Sequence, residues 1–344
     1  MATGTKDQLL HSRAAVLSKI SNLMSGHRGR RERGTVVVEG ETVEYEVRIV
    51  DARTTEQRAQ DERCGRPDGN LIVVVPGHAQ TVDGPKRLVA TATLLSRSKV
   101  VWCIDPIPAK GGDRIEAKAI ARVVRERISA AFPVTGEDRA GSGLSTKVTL
   151  VGWSHGGAEA LRAAEEDPAL FSQFLGLCPA GLEDRNPLEF VCSFGLAVVC
   201  ILGKALRGRD WGYLTDALRV GADVLRGLIQ DLVRSRSPKR LIEDVRWASE
   251  KVSSRTFGYT GEVVLLLGQQ DAVIRWRDIF PDCEHPDEIP ESLPVFQREH
   301  FPHASRVKVA AIEGDHLAPE AEALSFVQLG LGLLDQLDES VSLS

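Results

Sequence analysis

Hydrophobic and polar positions change period several times along this chain, and each change marks a different kind of element. From Thr35 to Val50 apolar residues alternate with polar ones around Gly40-Glu41, with Val36, Val38, Val43, Tyr45, Val47 and Ile49 on the apolar register. A period of two over that length predicts an antiparallel pair of strands at a sheet edge. Leu71-Val75, Val100-Ile104 and Val148-Val151 are instead short, continuous apolar runs, the pattern of parallel strands covered on both faces. Helical spacing separates them, as in Ile120, Val124 and Ile128, and an alanine-rich stretch from Gly156 to Ala164 stops at Asp167-Pro168. A further strand is expected to end at Leu177-Cys178-Pro179.

Beyond Leu182 only helical periodicity remains, as in Leu214, Leu218, Leu225, Leu228 and Leu232, until strand signals return at Val263-Leu267 and Val307-Ile312. Residues 183–257 therefore read as a helical insertion, and 35–182 with 258–344 as one discontinuous α/β core with a mostly parallel, doubly wound sheet. A last amphipathic helix fills roughly 320–336. The stretch 276–305, with prolines at 281, 286, 290, 294 and 302, reads as a loop-rich insertion. Residues 1–34 form an extension: Val16, Leu17, Ile20, Leu23 and Met24 share one helical face, and the basic run from His27 to Arg31 is expected to be a solvated linker.

Charge and composition narrow the function classes. Among 344 residues, 43 Lys and Arg oppose 48 Asp and Glu, a net charge of −5, so no basic field is available to hold nucleic acid. The six cysteines, at 64, 103, 178, 192, 200 and 283, lack the paired spacing of zinc ribbons or disulfide frameworks. The uncharged apolar stretch Phe190 to Gly203 has 14 residues, short of the ~18 a spanning helix needs. Charged residues interrupt the N-terminal apolar positions, unlike a secretory signal. A cytoplasmic protein with no stable membrane insertion is expected.

The chemistry concentrates at Gly152-Trp153-Ser154-His155-Gly156, which follows one apolar run and opens a helix. A serine hydroxyl is a poor nucleophile near neutrality and needs a base and nearby backbone donors. A tight strand-to-helix turn presents it to both, and glycines two positions either side allow strand and helix to approach closely. Three other strand ends carry matching groups: Pro76-Gly77-His78-Ala79-Gln80, Gly268-Gln269-Gln270-Asp271 and Gly314-Asp315-His316-Leu317. Asp184 is a second candidate for the acid. The Gly141–Lys147 stretch does not fit a phosphate loop and precedes a strand, so it reads as a connection. The polar cluster Glu299 to His303 lacks a helical H-E-x-x-H frame and reads as a solvated loop.

With these four motifs the chain resembles the α/β-hydrolase superfamily of serine esterases, lipases and thioesterases over residues 35 to 338. The resemblance implies Ser154 as nucleophile, His316 as general base and acid, and Asp271 as the carboxylate orienting it. It also implies backbone N–H groups of His78 and His155 as an oxyanion hole, Gly152 and Gly156 as elbow glycines, and residues 183–257 as a cap. The oxyanion loop departs from the family pattern, reading Pro76-Gly77 where His-Gly is usual. No cofactor or metal is implied. The expected substrate is a small, partly apolar ester or thioester; a C–C bond hydrolase, a cofactor-free peroxidase and a catalytically weak binding protein are the rivals on the same fold. Oligomeric state is not legible.

Overall fold

The computed structural model describes residues 15–24, 29–77, 80, 82–106, 113–132, 146–182 and 256–338, with isolated positions between 189 and 222. Its strands are β1 (Gly29–Val38), β2 (Glu41–Asp51), β3 (Leu71–Val75), β4 (Val100–Pro106), β5 (Val148–Trp153), β6 (Phe171–Leu177), β7 (Glu262–Gly268) and β8 (Arg306–Ile312). They form one sheet in the order β1-β2-β4-β3-β5-β6-β7-β8. Only the β1–β2 and β2–β4 pairs are antiparallel; all other neighbours run parallel.

The alternating segment becomes the β1–β2 hairpin. Its two-residue loop, Glu39-Gly40, has φ of 51° and 85°, the doubly left-handed turn that matches the twist of paired strands. Val36, Val38, Val43, Val47 and Val50 face the core, and Val36 lies opposite Val43. Strands β3, β5 and β7, the continuous apolar runs, are buried at every position, because helices cover both faces of a parallel sheet.

Helix placement follows from connection handedness. β4 lies on one side of β3 and β5 on the other, so the chain reverses direction across the sheet after β4. With α1 over residues 15–24 and α2 over Thr55–Cys64, right-handed crossovers then put α3 (Lys86–Leu95), which joins β3 to β4, on the face opposite α4 (Asp113–Ala131), which joins β4 to β5. Accordingly α4 packs on α5 (His155–Glu166), while α3 packs on the last helix, Ala323–Leu333. Such a reversal marks the place, outside the carboxyl ends of the strands, where α/β sheets bind ligands.

Two expectations need correction. β1 starts at Gly29, so the basic residues from Arg30 to Arg33 lie in a strand, inside the extension expected to end at residue 34. Cross-strand charge pairing explains it: Arg31 and Arg33 bind Glu46 at 2.5 and 2.7 Å, and Glu32 pairs with Arg127. Ahead of the strand, residues 15–24 are helical, with Val16 and Ile20 buried and Leu17 exposed.

The stretch 276–305 is not a loop. It holds the helices Trp276–Ile279 and Ile289–His300 with a 3₁₀ turn, Pro286–Glu288, between them. Pro290 sits at the helix start, where a missing N–H costs nothing. Pro294 does fall inside the helix, and packing outweighs it: Phe296 is buried and lies 4.9 Å from Phe280 and 5.8 Å from Phe301 between ring centroids. The helical insertion expected at 183–257 lies outside the described residues apart from isolated positions and its last two residues, and of these Phe257 is buried and stacks on Phe301 at 5.0 Å.

Candidate active site

β5 ends at Trp153 and α5 begins at His155, leaving Ser154 alone in the turn. Its backbone has φ 55° and ψ −127°, a region that costs a non-glycine residue about 1–3 kcal/mol. The surrounding structure holds it there. The Ser154 N–H donates to the Leu177 carbonyl at 3.1 Å, and the Ser154 carbonyl accepts from Gly157 and Ala180, both at 2.9 Å. Between Val148 and Leu161 Ser154 is the one position that is not buried, so the turn lifts one hydroxyl out of a closed core.

The flanking glycines are sterically required. A Cβ on Gly156 would overlap the Pro76 carbonyl oxygen and come 2.5 Å from that of Val75, and one on Gly152 would come 2.5 Å from the Gly156 carbonyl oxygen. Real Cβ atoms do not approach so closely, and nothing but backbone is there to move.

The loops after β7 and β8 bring two further groups to Ser154. His316 Nε2 lies 2.9 Å from Ser154 Oγ, and His316 Nδ1 lies 2.8 Å from Asp271 Oδ2. The other carboxylate oxygen, Oδ1, accepts from the Val273 and Ile274 N–H groups at 2.7 and 2.9 Å. Both oxygens are thus engaged and the carboxylate cannot rotate. Asp271 and His316 are buried, Ser154 only in part. The two loops are tied together: Gln269 N–H donates to the Ile312 carbonyl and Gln270 N–H to that of Gly314, each at 2.9 Å. Hydroxyl, imidazole and carboxylate form one hydrogen-bonded row, an arrangement that can move a proton from the serine to the ring while charge on the ring faces a fixed anion.

Three further side chains bear on the row. Trp153 Nε1 donates to the His316 carbonyl at 3.1 Å. The Glu320 carboxylate, wholly buried, accepts from the Arg87 and Leu88 N–H groups at 3.0 and 2.9 Å, so the segment after His316 caps the helix after the Pro76–Gln80 loop. Cys178 is buried beside Asp271; burial, aided by that carboxylate, pushes its thiol well above the ordinary 9.0 and keeps it neutral. Trp153 lies within the Gly152–Gly156 motif, but its bond to His316 is not marked there, and Cys178 and Glu320 show only apolar or helical patterning.

His155 is buried, its Nδ1 3.7 Å from Glu159; it opens α5, and the first N–H groups of a helix lack an intrahelical acceptor. In the loop after β3, Gln80 closes a turn, its N–H bonding the Gly77 carbonyl at 3.1 Å and its Oε1 accepting from Gly77 at 3.2 Å. His78 and Asp184 lie outside the described residues. Among the described residues no three His, Cys, Asp or Glu side chains converge as metal ligands, and no helix is long and apolar enough to cross a membrane.

No protein-family model matches the chain, and no curated protein matches it either. Solved structures do. An α/β-hydrolase enzyme from a Medee basin deep-sea metagenome library is 14% identical, with 89% of this chain and 98% of that one covered and a TM-score of 0.52. A thermophilic esterase from Thermogutta terrifontis is 13% identical over the same shares, also at 0.52. An esterase from Pyrobaculum calidifontis is 13% identical, covering 98% of this chain and 94% of its own, at 0.50. At such identities the likeness is one of fold.

Proposed function

The chain has the α/β-hydrolase fold, and from that premise we propose that it is a serine hydrolase cleaving an ester or thioester of a partly apolar small molecule. The observation that carries the reading is the row Ser154 Oγ, His316 Nε2 and Nδ1, Asp271 Oδ2, with separations of 2.9 and 2.8 Å.

In this reading Ser154 Oγ attacks the acyl carbon while its proton passes to His316 Nε2. Asp271 holds Nδ1–H, fixes the tautomer that leaves Nε2 free to accept, and offsets the charge of the imidazolium. The oxyanion is met by main-chain N–H groups, His155 at the start of α5 and His78 in the loop after β3. As the tetrahedral species collapses, the bond to the alcohol or thiol breaks and the leaving group takes the proton from Nε2. Water then attacks the acyl-serine, giving its proton to Nε2, and Ser154 leaves with that proton as the acid is released. A serine at the elbow separates this chemistry from the carboxylate nucleophile of dehalogenases and epoxide hydrolases.

Residues 183–257 are proposed as the helical cap. The enzyme is proposed to work in the cytoplasm, a reading supported by free thiols at Cys64, Cys103, Cys178 and Cys283. The experiment is a panel of p-nitrophenyl esters and matched thioesters of increasing acyl length. A burst of one alcohol or thiol per protein, followed by slower turnover, is the expected result. Binding with no acyl release for any member would favour a small-molecule receptor.

A further inference from the structure

Resting on the serine hydrolase reading, we infer that Trp153 is a positioning residue: its indole N–H, bonded to the main-chain carbonyl of His316, holds the imidazole in line between Ser154 and Asp271. The residue before an elbow serine ends a buried strand, and for that purpose any large apolar side chain suffices. What sets Trp153 apart is its polar atom. Nε1 reaches across from β5 to the loop after β8 and donates at 3.1 Å, linking residues 163 apart in sequence. The indole N–H is a donor only, so the direction of this bond does not depend on the tautomer of the histidine.

His316 is thereby fixed at three points: Nε2 on Ser154, Nδ1 on Asp271, and its carbonyl on Trp153. The first two bonds change in strength as the ring gains and loses a proton during turnover. The third does not involve the ring, and it keeps the main chain in place while the others change. It is also shielded: Trp153 is 2% and His316 5% exposed, so water cannot readily replace the donor, and a buried carbonyl without one is costly. The indole further lies beside the imidazole, with centroids 6.3 Å apart and planes at 42°, which restricts ring tilt from the same side.

If Trp153 served packing alone, an aromatic ring of similar volume without the N–H would leave catalysis unchanged. Trp153→Phe deletes the donor and keeps a buried ring. Incorporation of benzothienylalanine at position 153, in which sulfur replaces the indole N–H, keeps the shape as well. Both variants are compared with wild type for fluorophosphonate labelling rate at Ser154, for kcat and KM on a p-nitrophenyl ester, and for thermal midpoint. The expected result is a fall of about 10- to 100-fold in kcat and in labelling rate for both, with KM within about twofold, as for a misplaced catalytic group. Wild-type kcat and labelling in the benzothienyl variant would overturn the inference, whatever the Phe variant does. Wild-type enzyme that is never labelled at Ser154 would overturn the hydrolase reading and the inference together; labelled wild type with unchanged variants overturns the inference alone.

Discussion

Residue by residue, the site depends on groups with little freedom to move. Ser154 keeps its positive φ because three backbone hydrogen bonds on two neighbouring segments define the turn. Asp271 spends one oxygen on two N–H groups and the other on His316. In Asp271→Asn the amide can direct an NH₂ at Nδ1 and favour the tautomer whose Nε2 is protonated. The predicted outcome is a loss of about 10³- to 10⁴-fold in kcat with KM little changed; wild-type rates would assign the acid role to another residue. The three residues of the row were legible because each follows an apolar run with a glycine-containing turn, and parallel strands bring such turns to one edge. The Trp153 bond was not legible, since it joins the end of β5 to the loop after β8, whose approach depends on the packed sheet.

At the scale of elements, Glu320 does what no local residue does for α3. That helix starts after Pro85 with no side-chain cap, and the buried carboxylate supplies acceptors for two of its first N–H groups, where the helix field also favours negative charge. Glu320→Ala would strand both donors. A destabilisation of about 2 kcal/mol or more is expected, read as a lower urea midpoint, together with slower Ser154 labelling because the loop from Pro76 to Pro85 loses its anchor. An unchanged midpoint would contradict the capping role. The strands and the helices Asp113–Ala131 and Ala323–Leu333 followed from periodicity. The helix Ile289–His300 did not, because proline rules describe local cost, whereas Phe296 is drawn in by Phe280 and Phe301, contacts that depend on how the whole stretch folds.

For the molecule as a whole, the mild negative charge says less than the way charges are paired. Arg31 and Arg33 clamp Glu46 within the β1–β2 hairpin, and Arg31 and Arg48 reach Asp83 at 3.0 and 2.7 Å, so the edge hairpin fastens the segment that follows the β3 loop. Burial alone would raise the Glu46 carboxyl, but its bonds to the two arginines hold it below its ordinary 4.5. A carboxyl lowered in the folded state stabilises above its unfolded value, and that contribution is lost as pH falls through the folded one. Glu46→Gln should therefore show a smaller drop in thermal midpoint than wild type between neutral pH and about pH 3.5; an equal drop would remove Glu46 from the acid response. The mostly parallel, doubly wound character of the sheet was legible from the alternation of strand and helix runs, while its strand order and the hairpin's charge network were not, the latter because its residues read as a basic linker. Fluorophosphonate labelling with mass analysis of the modified peptide reads the nucleophile itself, without a known substrate. One adduct is expected, on Ser154, absent from Ser154→Ala while the circular dichroism and thermal midpoint of that variant stay near wild type. Undiminished labelling of Ser154→Ala, or an adduct on any other residue, would contradict it.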